Sequence, residues 1–333
     1  VTTSREIRLK SRPTGLPGSE NFELASIELS APASGEVQVR NTWMTVDPYM
    51  RGRMNDTRSY VPPFQIGEAL QGGAIGEVIA SGDPSLAVGD LVQSNFGWRE
   101  AFNAKASEVQ KLDTFGLPPQ AFLGIAGMPG MTAWYGLLKV AQLKPDDVVF
   151  VSGAAGAVGS VVCQIAKLKG NTVIGSAGGA EKAAFLKSIG CDEVIDYKAE
   201  KDLTAALARV APKGIDVYFE NVGGEHMDAA LAVARPFARF ALCGMISQYN
   251  ATGDMYGVKN LIAAVGKSLR IEGFIVSNGY QHLPEFLQDM SGWLKDGKMV
   301  WKETIDEGIE NAPGAFIKLF KGENTGKMLV KLS

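Results

Sequence analysis

From about Leu123 onward the apolar positions repeat in one order: a short solid apolar run, a turn, then an apolar stripe at helical spacing. The run "VVFVS" ends at Ser152 and precedes a helix from about Ala157 to Lys169. "NTVIGSA" precedes a helix over "AEKAAFLKSIG", and "DEVIDY" a helix near Leu203–Val210. "GIDVYFENVG" is followed by the helical stretch "EHMDAALAVA", while "FARFALCG" and "SLRIEGFIVSN" read as further strands. Solid apolar strands that alternate with amphipathic helices imply a parallel sheet covered on both faces. The fold class is therefore α/β, with a doubly wound parallel sheet.

The first 120 or so residues have another texture. "EVQVRNTWMTV" (Glu36–Val46), "GAIGEVIASG" (Gly73–Gly82) and "VGDLVQS" (Val88–Ser94) are short strand-like runs broken by glycine, proline and aspartate. No periodic helix of convincing length stands among them. "MTAWYGLLKVAQL" then has helical spacing and stops before Lys144-Pro145. The tail "EGIENAPGAFIKLFKGENTGKMLVKLS" reads as a helix and one strand. A late strand after a completed α/β domain suggests a return to the first domain. The expected boundaries are 1–122, 123–297 and 298–333.

Composition changes this picture little. The chain has 333 residues, 46% hydrophobic and 21% charged, which suits a globular protein with a large core. Its formal net charge of −3 offers no basic surface for nucleic acid and no polybasic arm for a membrane. The three cysteines, Cys163, Cys191 and Cys243, are too few for a disulfide framework, so a reducing, cytoplasmic setting is expected. "VTTSREIRLKSRP" lacks the apolar segment of a signal peptide. Val148–Ala166 is uncharged and long enough to suggest a membrane span, but its glycines favour a buried strand, turn and helix.

Chemistry enters at the turn after "VVFVS". It reads Ala154-x-Gly156-x-x-Gly159 and opens an apolar helix face of Val161, Val162, Ile165 and Ala166. Glycines there permit a tight turn and close backbone approach to a pyrophosphate, and the free N–H groups of the helix start hold negative charge. The backbone from Gly153 through Ala155 and Gly156 to Ala157, Val158 and Gly159 is thus the candidate phosphate cradle. An NAD site usually places an acid near the end of the next strand, about 20 residues on. Here that region is Ser176-Ala177-Gly178-Gly179, with Lys182 at the following helix start. The missing acid and the lysine favour NADP over NAD.

Two other chemistries lack their residues. A catalytic zinc needs three protein ligands, usually Cys and His. There is no Cys before Cys163, and the two histidines, His226 and His282, both lie in the cofactor half. A Ser-His-Asp hydrolase is equally unsupported, since no G-x-S-x-G elbow occurs.

With these residues in hand, the chain resembles the medium-chain dehydrogenase/reductases. More closely, it resembles their zinc-independent NADPH-dependent alkenal/one oxidoreductase branch. The resemblance covers nearly the whole chain and rests on "VDPYMRGRM", "GMPGMTAWYGL", "VSGAAGAVGSVVCQIAK", "YFENVGG", "CGMISQYN" and "GENTGKMLVKL", in that order. It implies a GroES-like β domain interrupted by a Rossmann domain, with the active site in the cleft between them. It also implies roles for residues. Lys182 and Tyr197 match contacts to the cofactor 2′-phosphate. Asn221 matches the asparagine that bonds the ribose near the nicotinamide, and Met128 and Thr132 line the nicotinamide side. Cys243, Gly244, Ile246 and Ser247 follow the cofactor, the Cys243 thiol itself reading as a small packing group. Phe274, Ile275 and Val276 match a strand whose backbone meets the carboxamide, and Asn324 a C-terminal cofactor contact. Tyr49 and Tyr249 match tyrosines that line the substrate cleft. Arg51 and Arg53 beside Tyr49 read as structural ion-pair partners or as a site for an acidic substrate.

The implied reaction is NADPH-dependent reduction of the carbon–carbon double bond of an enone or enal. The protein supplies orientation and a hydrogen-bond donor to the carbonyl oxygen, Tyr249 or a ribose hydroxyl, with Tyr249, Tyr49 or water as proton source. A quinone reductase of the same fold needs the same cofactor site. A non-catalytic NADPH-binding protein would keep the site without turnover, and a zinc alcohol dehydrogenase would carry metal. The resemblance further implies a homodimer through the sheet edge near Leu269–Ile275.

Overall fold

In a computed structural model describing residues 1–332, the chain divides into two units. One comprises residues 1–123, 303–324 and 328 onward, and the other 124–302 with 325–327.

The second unit carries a six-stranded sheet. Across it lie Glu193–Asp196, Thr172–Ala177, Val148–Val151, Ile215–Glu220, Ala234–Leu242 and Arg270–Gly273, every neighbouring pair parallel. This is the Rossmann order, two halves running outward from the paired central strands. Those central strands are apolar because helices cover both faces: Val149, Phe150, Val151, Val217, Tyr218 and Phe219 are all fully buried. The helix Gly159–Leu168 buries Val161, Val162, Cys163, Ile165 and Ala166, and ends where Gly170 turns with φ +86. The helix Leu203–Val210 starts at Asp202, whose carboxylate accepts the Ala205 N–H at 3.0 Å. Phe150, Ile174, Ile195, Leu207, Tyr218, Leu231 and Phe240 form one core, each large apolar side chain worth roughly 1.5–3 kcal/mol of burial.

The first unit is a GroES-like β structure. Its seven-stranded sheet runs Glu303–Glu307, Lys327–Lys331, Glu36–Thr45, Ala74–Ser81, Leu91–Ser94 and Gln110–Lys111, with Ala101–Lys105 also paired to Glu36–Thr45. The late strand does return: Leu329 pairs antiparallel with Thr45.

Several elements differ from the sequence reading. Thr2–Leu9 and Phe22–Leu29 form a hairpin that the hydrophobic pattern did not announce, because the first strand buries Ser4 and Glu6 beside Ile7 and Leu9. A one-turn helix, Met50–Arg53, sits in the β-rich half. Leu283–Lys295 is a helix and Glu303–Glu307 a strand. The stretch "SLRIEGFIVSN" is strand only over Arg270–Gly273; Val276–His282 is a 3-10 turn. Among the described residues, no helix is long and apolar enough to cross a membrane.

Candidate active site

In an open parallel sheet, ligands bind beyond the carboxyl ends of the strands, where the order reverses. In this chain that reversal lies between Val148–Val151 and Ile215–Glu220.

The turn after Val151 is tightly built. Gly153 has φ +56, and the Gly156 N–H donates to the Gly153 carbonyl at 3.1 Å. A Cβ on Gly159 would stand 2.3 Å from that carbonyl oxygen and 2.7 Å from Ala154 Cα, so only glycine fits. A Cβ on Gly156 would meet nothing closer than 3.3 Å, which leaves its outer side clear for another backbone or a ligand. Ala154 and Ala155 turn their side chains into the core, whereas Gly156, Ala157 and Val158 form a half-exposed crest. The tail contributes as well: the Gly326 N–H donates to the Ala155 carbonyl at 2.7 Å.

At the end of Thr172–Ala177 the chain passes through Gly178 and Gly179, with no acid in that turn. A Cβ on Gly178 would lie 2.9 Å from the Tyr197 hydroxyl and 2.8 Å from Lys198 Cε, so a phenol and a lysine stem cover this glycine. The Asp196 carboxylate fixes both sides of the corner by accepting the N–H groups of Gly179 (2.9 Å) and Lys198 (3.1 Å). Burial, and then the charge of Lys198, hold the Lys182 ammonium below its ordinary pKa, with Glu181 opposing. Two ammonium groups and a phenol thus converge on one corner, a site that suits a multiply charged phosphate. Lys198 was missed in the sequence reading, although it directly follows Tyr197. Ser176, expected at the cofactor, is fully buried, and its hydroxyl bonds His226 Nε2 at 2.9 Å.

The ends of the neighbouring strands are organised by Glu220, also missed. One oxygen of this fully buried carboxyl accepts from the Ser152 hydroxyl (2.7 Å) and the N–H groups of Val222 (2.7 Å) and Gly223 (2.8 Å). Burial raises its pKa, and those donors oppose the rise. The Asn221 amide is oriented by donating to the Ser152 carbonyl at 2.8 Å. The N–H groups of Cys243 and Gly244 donate to the Glu220 carbonyl, that of Ile246 to Asn221 and that of Ser247 to Val222. Burial, and then Glu220, push the Cys243 thiol up to about 12, so it stays protonated. The Tyr249 hydroxyl lies over Gly244, 2.8 Å from where a Cβ would be, and accepts the Met245 N–H at 3.2 Å. Thr132 donates to the Met128 carbonyl at 2.7 Å within the helix Met128–Tyr135.

Phe274, Ile275 and Val276 lie past the strand expected to hold them. The Phe274 ring packs edge-on against Tyr135 and Phe219, while its N–H donates to the Leu242 carbonyl. Asn324 closes the segment 303–324 of the GroES-like unit.

In the GroES-like unit Tyr49 precedes the one-turn helix. Burial, and then Asp47, raise its phenol well above the ordinary range, while Arg53 opposes. Arg51 donates to the carbonyls of Gly15 and Pro13 and to Asn55, and Arg53 to Pro62 and Gln71, so both brace loops. Arg53 also stacks over Phe64 at 4.0 Å and feels Tyr60, a second tyrosine here that the sequence reading passed over. Among the described residues, no group of three or more His, Cys, Asp and Glu side chains is placed to hold a metal.

Residues 5–112 match the N-terminal domain of oxidoreductase family, and residues 157–292 the zinc-binding dehydrogenase family. The chain is 41% identical to the NADPH-dependent curcumin reductase of Escherichia coli, over 98% of this chain and 96% of that one. It is 42% identical to the NADP-dependent 2-alkenal reductase of Nicotiana tabacum, over 99% and 98%. The crystal structure of CurA from Vibrio vulnificus in complex with NADPH superposes with a TM-score of 0.93 at 44% identity, covering 99% of each chain.

Proposed function

The chain belongs to the zinc-independent, NADPH-dependent alkenal/one oxidoreductase branch of the medium-chain dehydrogenase/reductases, and on that premise we propose that it reduces the carbon–carbon double bond of α,β-unsaturated ketones and aldehydes. The observation that carries the cofactor half of this reading is the corner of Lys182, Tyr197 and Lys198 over Gly178, where the Asp196 carboxylate is taken up by the Gly179 and Lys198 N–H groups. The cradle fits the dinucleotide, since Gly156 leaves room where a pyrophosphate needs it and Gly159 closes the turn behind.

When bound, NADPH supplies the hydride that reaches the β-carbon of the substrate. The protein's part is orientation and electrostatics. Glu220 and Ser152 fix the Asn221 amide, which holds the ribose beside the nicotinamide. The Tyr249 phenol donates a hydrogen bond to the substrate carbonyl oxygen, where negative charge develops. Its contact with Met245 uses the phenol oxygen as acceptor. Tyr49, held protonated by burial, is the second phenol able to supply a proton at the α-carbon. The Arg270–Gly273 strand stands at the sheet edge, with Leu261, Ile262 and Val265 exposed in the segment before it, and this edge pairs two copies into a homodimer.

The test is turnover of a simple linear enone with NADPH or NADH, the product identified by mass and NMR. A saturated ketone formed faster with NADPH is expected. An allylic alcohol would discard the mechanism, and turnover of quinones alone would reassign the substrate class.

A further inference from the structure

His226 lies fifty positions from Ser176 in sequence, yet its Nε2 meets the Ser176 hydroxyl at 2.9 Å, both groups being buried. The imidazole stands edge-to-face with the Tyr197 ring, centroids 5.3 Å apart and planes at 78°. It also lies nearly parallel to Phe150 at 6.4 Å, and Phe150 stacks in turn on Tyr218 at 5.2 Å. A continuous column of rings therefore runs from the sheet core to Tyr197. Its outermost ring carries the hydroxyl that covers Gly178.

A phenol discriminates a phosphate from a hydroxyl only if its oxygen is held in place. Tyr197 is 38% exposed, whereas His226 is 5% exposed and fixed by the Ser176 bond. We propose that His226 is a positioning residue for cofactor choice: its ring, locked by Ser176 and backed by Phe150, holds Tyr197 at the 2′-phosphate corner and thereby sets the preference for NADPH over NADH. This rests on the assignment of the Lys182–Tyr197–Lys198 corner to the 2′-phosphate. His226 does not itself touch the cofactor, so its effect passes through Tyr197. Burial holds the imidazole pKa down to about 4, so it is neutral and keeps its bond to Ser176 in one protonation state.

The experiment is fluorescence titration of the full-length protein with NADPH and with NADH, comparing wild type, His226→Ala, His226→Phe, Tyr197→Phe and the His226→Ala/Tyr197→Phe double variant. For His226→Ala we expect the NADPH dissociation constant to rise roughly tenfold, about one charge-assisted hydrogen bond, and the NADH constant to stay within about twofold. His226→Phe, which keeps a ring behind Tyr197, should recover most of the NADPH affinity. Tyr197→Phe should cost little more in the His226→Ala background, because the two act as one device. Equal weakening of both cofactors, or additive losses in the double variant, would overturn the proposal. Should His226→Ala not fold, His226→Gln takes its place: its amide keeps a partner for Ser176 but offers Tyr197 no ring, so full NADPH selectivity in that variant overturns the proposal. A wild type that does not prefer NADPH would remove the 2′-phosphate assignment itself. Selectivity lost in Lys182→Ala but kept in the His226 variants would remove only the role of His226.

Discussion

The buried imidazole of His226 makes the acid stability of this protein calculable. Burial lowers its pKa from 6.5 to about 4 in the folded chain. An unfolded chain binds a proton near 6.5, so between the two values the unfolded state holds more protons and stability falls as the pH falls. The group contributes fully above about pH 7 and loses its contribution through the window from about 6.5 down to about 4. At 1.36 kcal/mol per pH unit the whole window is worth about 3 kcal/mol, of which roughly 2 kcal/mol is gone by pH 5. With His226 only 5% exposed, solvent screening removes little of this. The perturbation is His226→Phe, which cannot titrate. Urea unfolding of both proteins at pH 7.5 and 5.0 isolates His226, because every other titrating group is common to the pair. On acidification the stability of the variant relative to wild type should rise by about 2 kcal/mol, whichever is more stable at pH 7.5. The imidazole resonance absent from the variant should titrate near 4 in the folded wild type. A gap that moves by less than about 0.5 kcal/mol, within the error of such extrapolations, would refute the claim that His226 is buried and neutral.

Other outcomes follow from the same geometry. Lys182→Ala should weaken NADPH by about 10–100-fold, the range of a hydrogen bond to a charged group, with little change for NADH; equal losses would misplace the 2′-phosphate. Gly159→Ala drives a Cβ to 2.3 Å from the Gly153 carbonyl oxygen, so NADPH and NADH should weaken together, with about 1–3 kcal/mol lost in urea unfolding. Tyr249→Phe should lower kcat on an enone by about 10–1,000-fold, the range for one hydrogen-bond donor to a developing oxyanion, and a near-normal kcat would hand that role to another group. Sedimentation should give twice the chain mass of 35.5 kDa, and a monomer would sink the edge-pairing proposal.

The hydrophobic pattern by itself determined the Rossmann half from Val148 to Leu242, because the strands and helices there are encoded by local periodicity: solid apolar "VVFV" and "IDVYFE", then stripes at helical spacing. The Gly156-x-x-Gly159 turn and the missing acid after Ala177 were legible for the same reason, since their chemistry sits within a few consecutive residues. The N-terminal hairpin was not, because Ser4 is buried through a partner far along the chain: its hydroxyl donates to the Ala101 carbonyl at 2.8 Å. Nor could any local signal place Glu220 under the Ser152 hydroxyl or His226 behind Tyr197. Parallel crossovers bring strand ends together from stretches tens of residues apart, and which side chains then meet is decided by register and packing. The sequence determined that a tight glycine turn joins strand to helix; the folded sheet decided which groups surround it and hold them still.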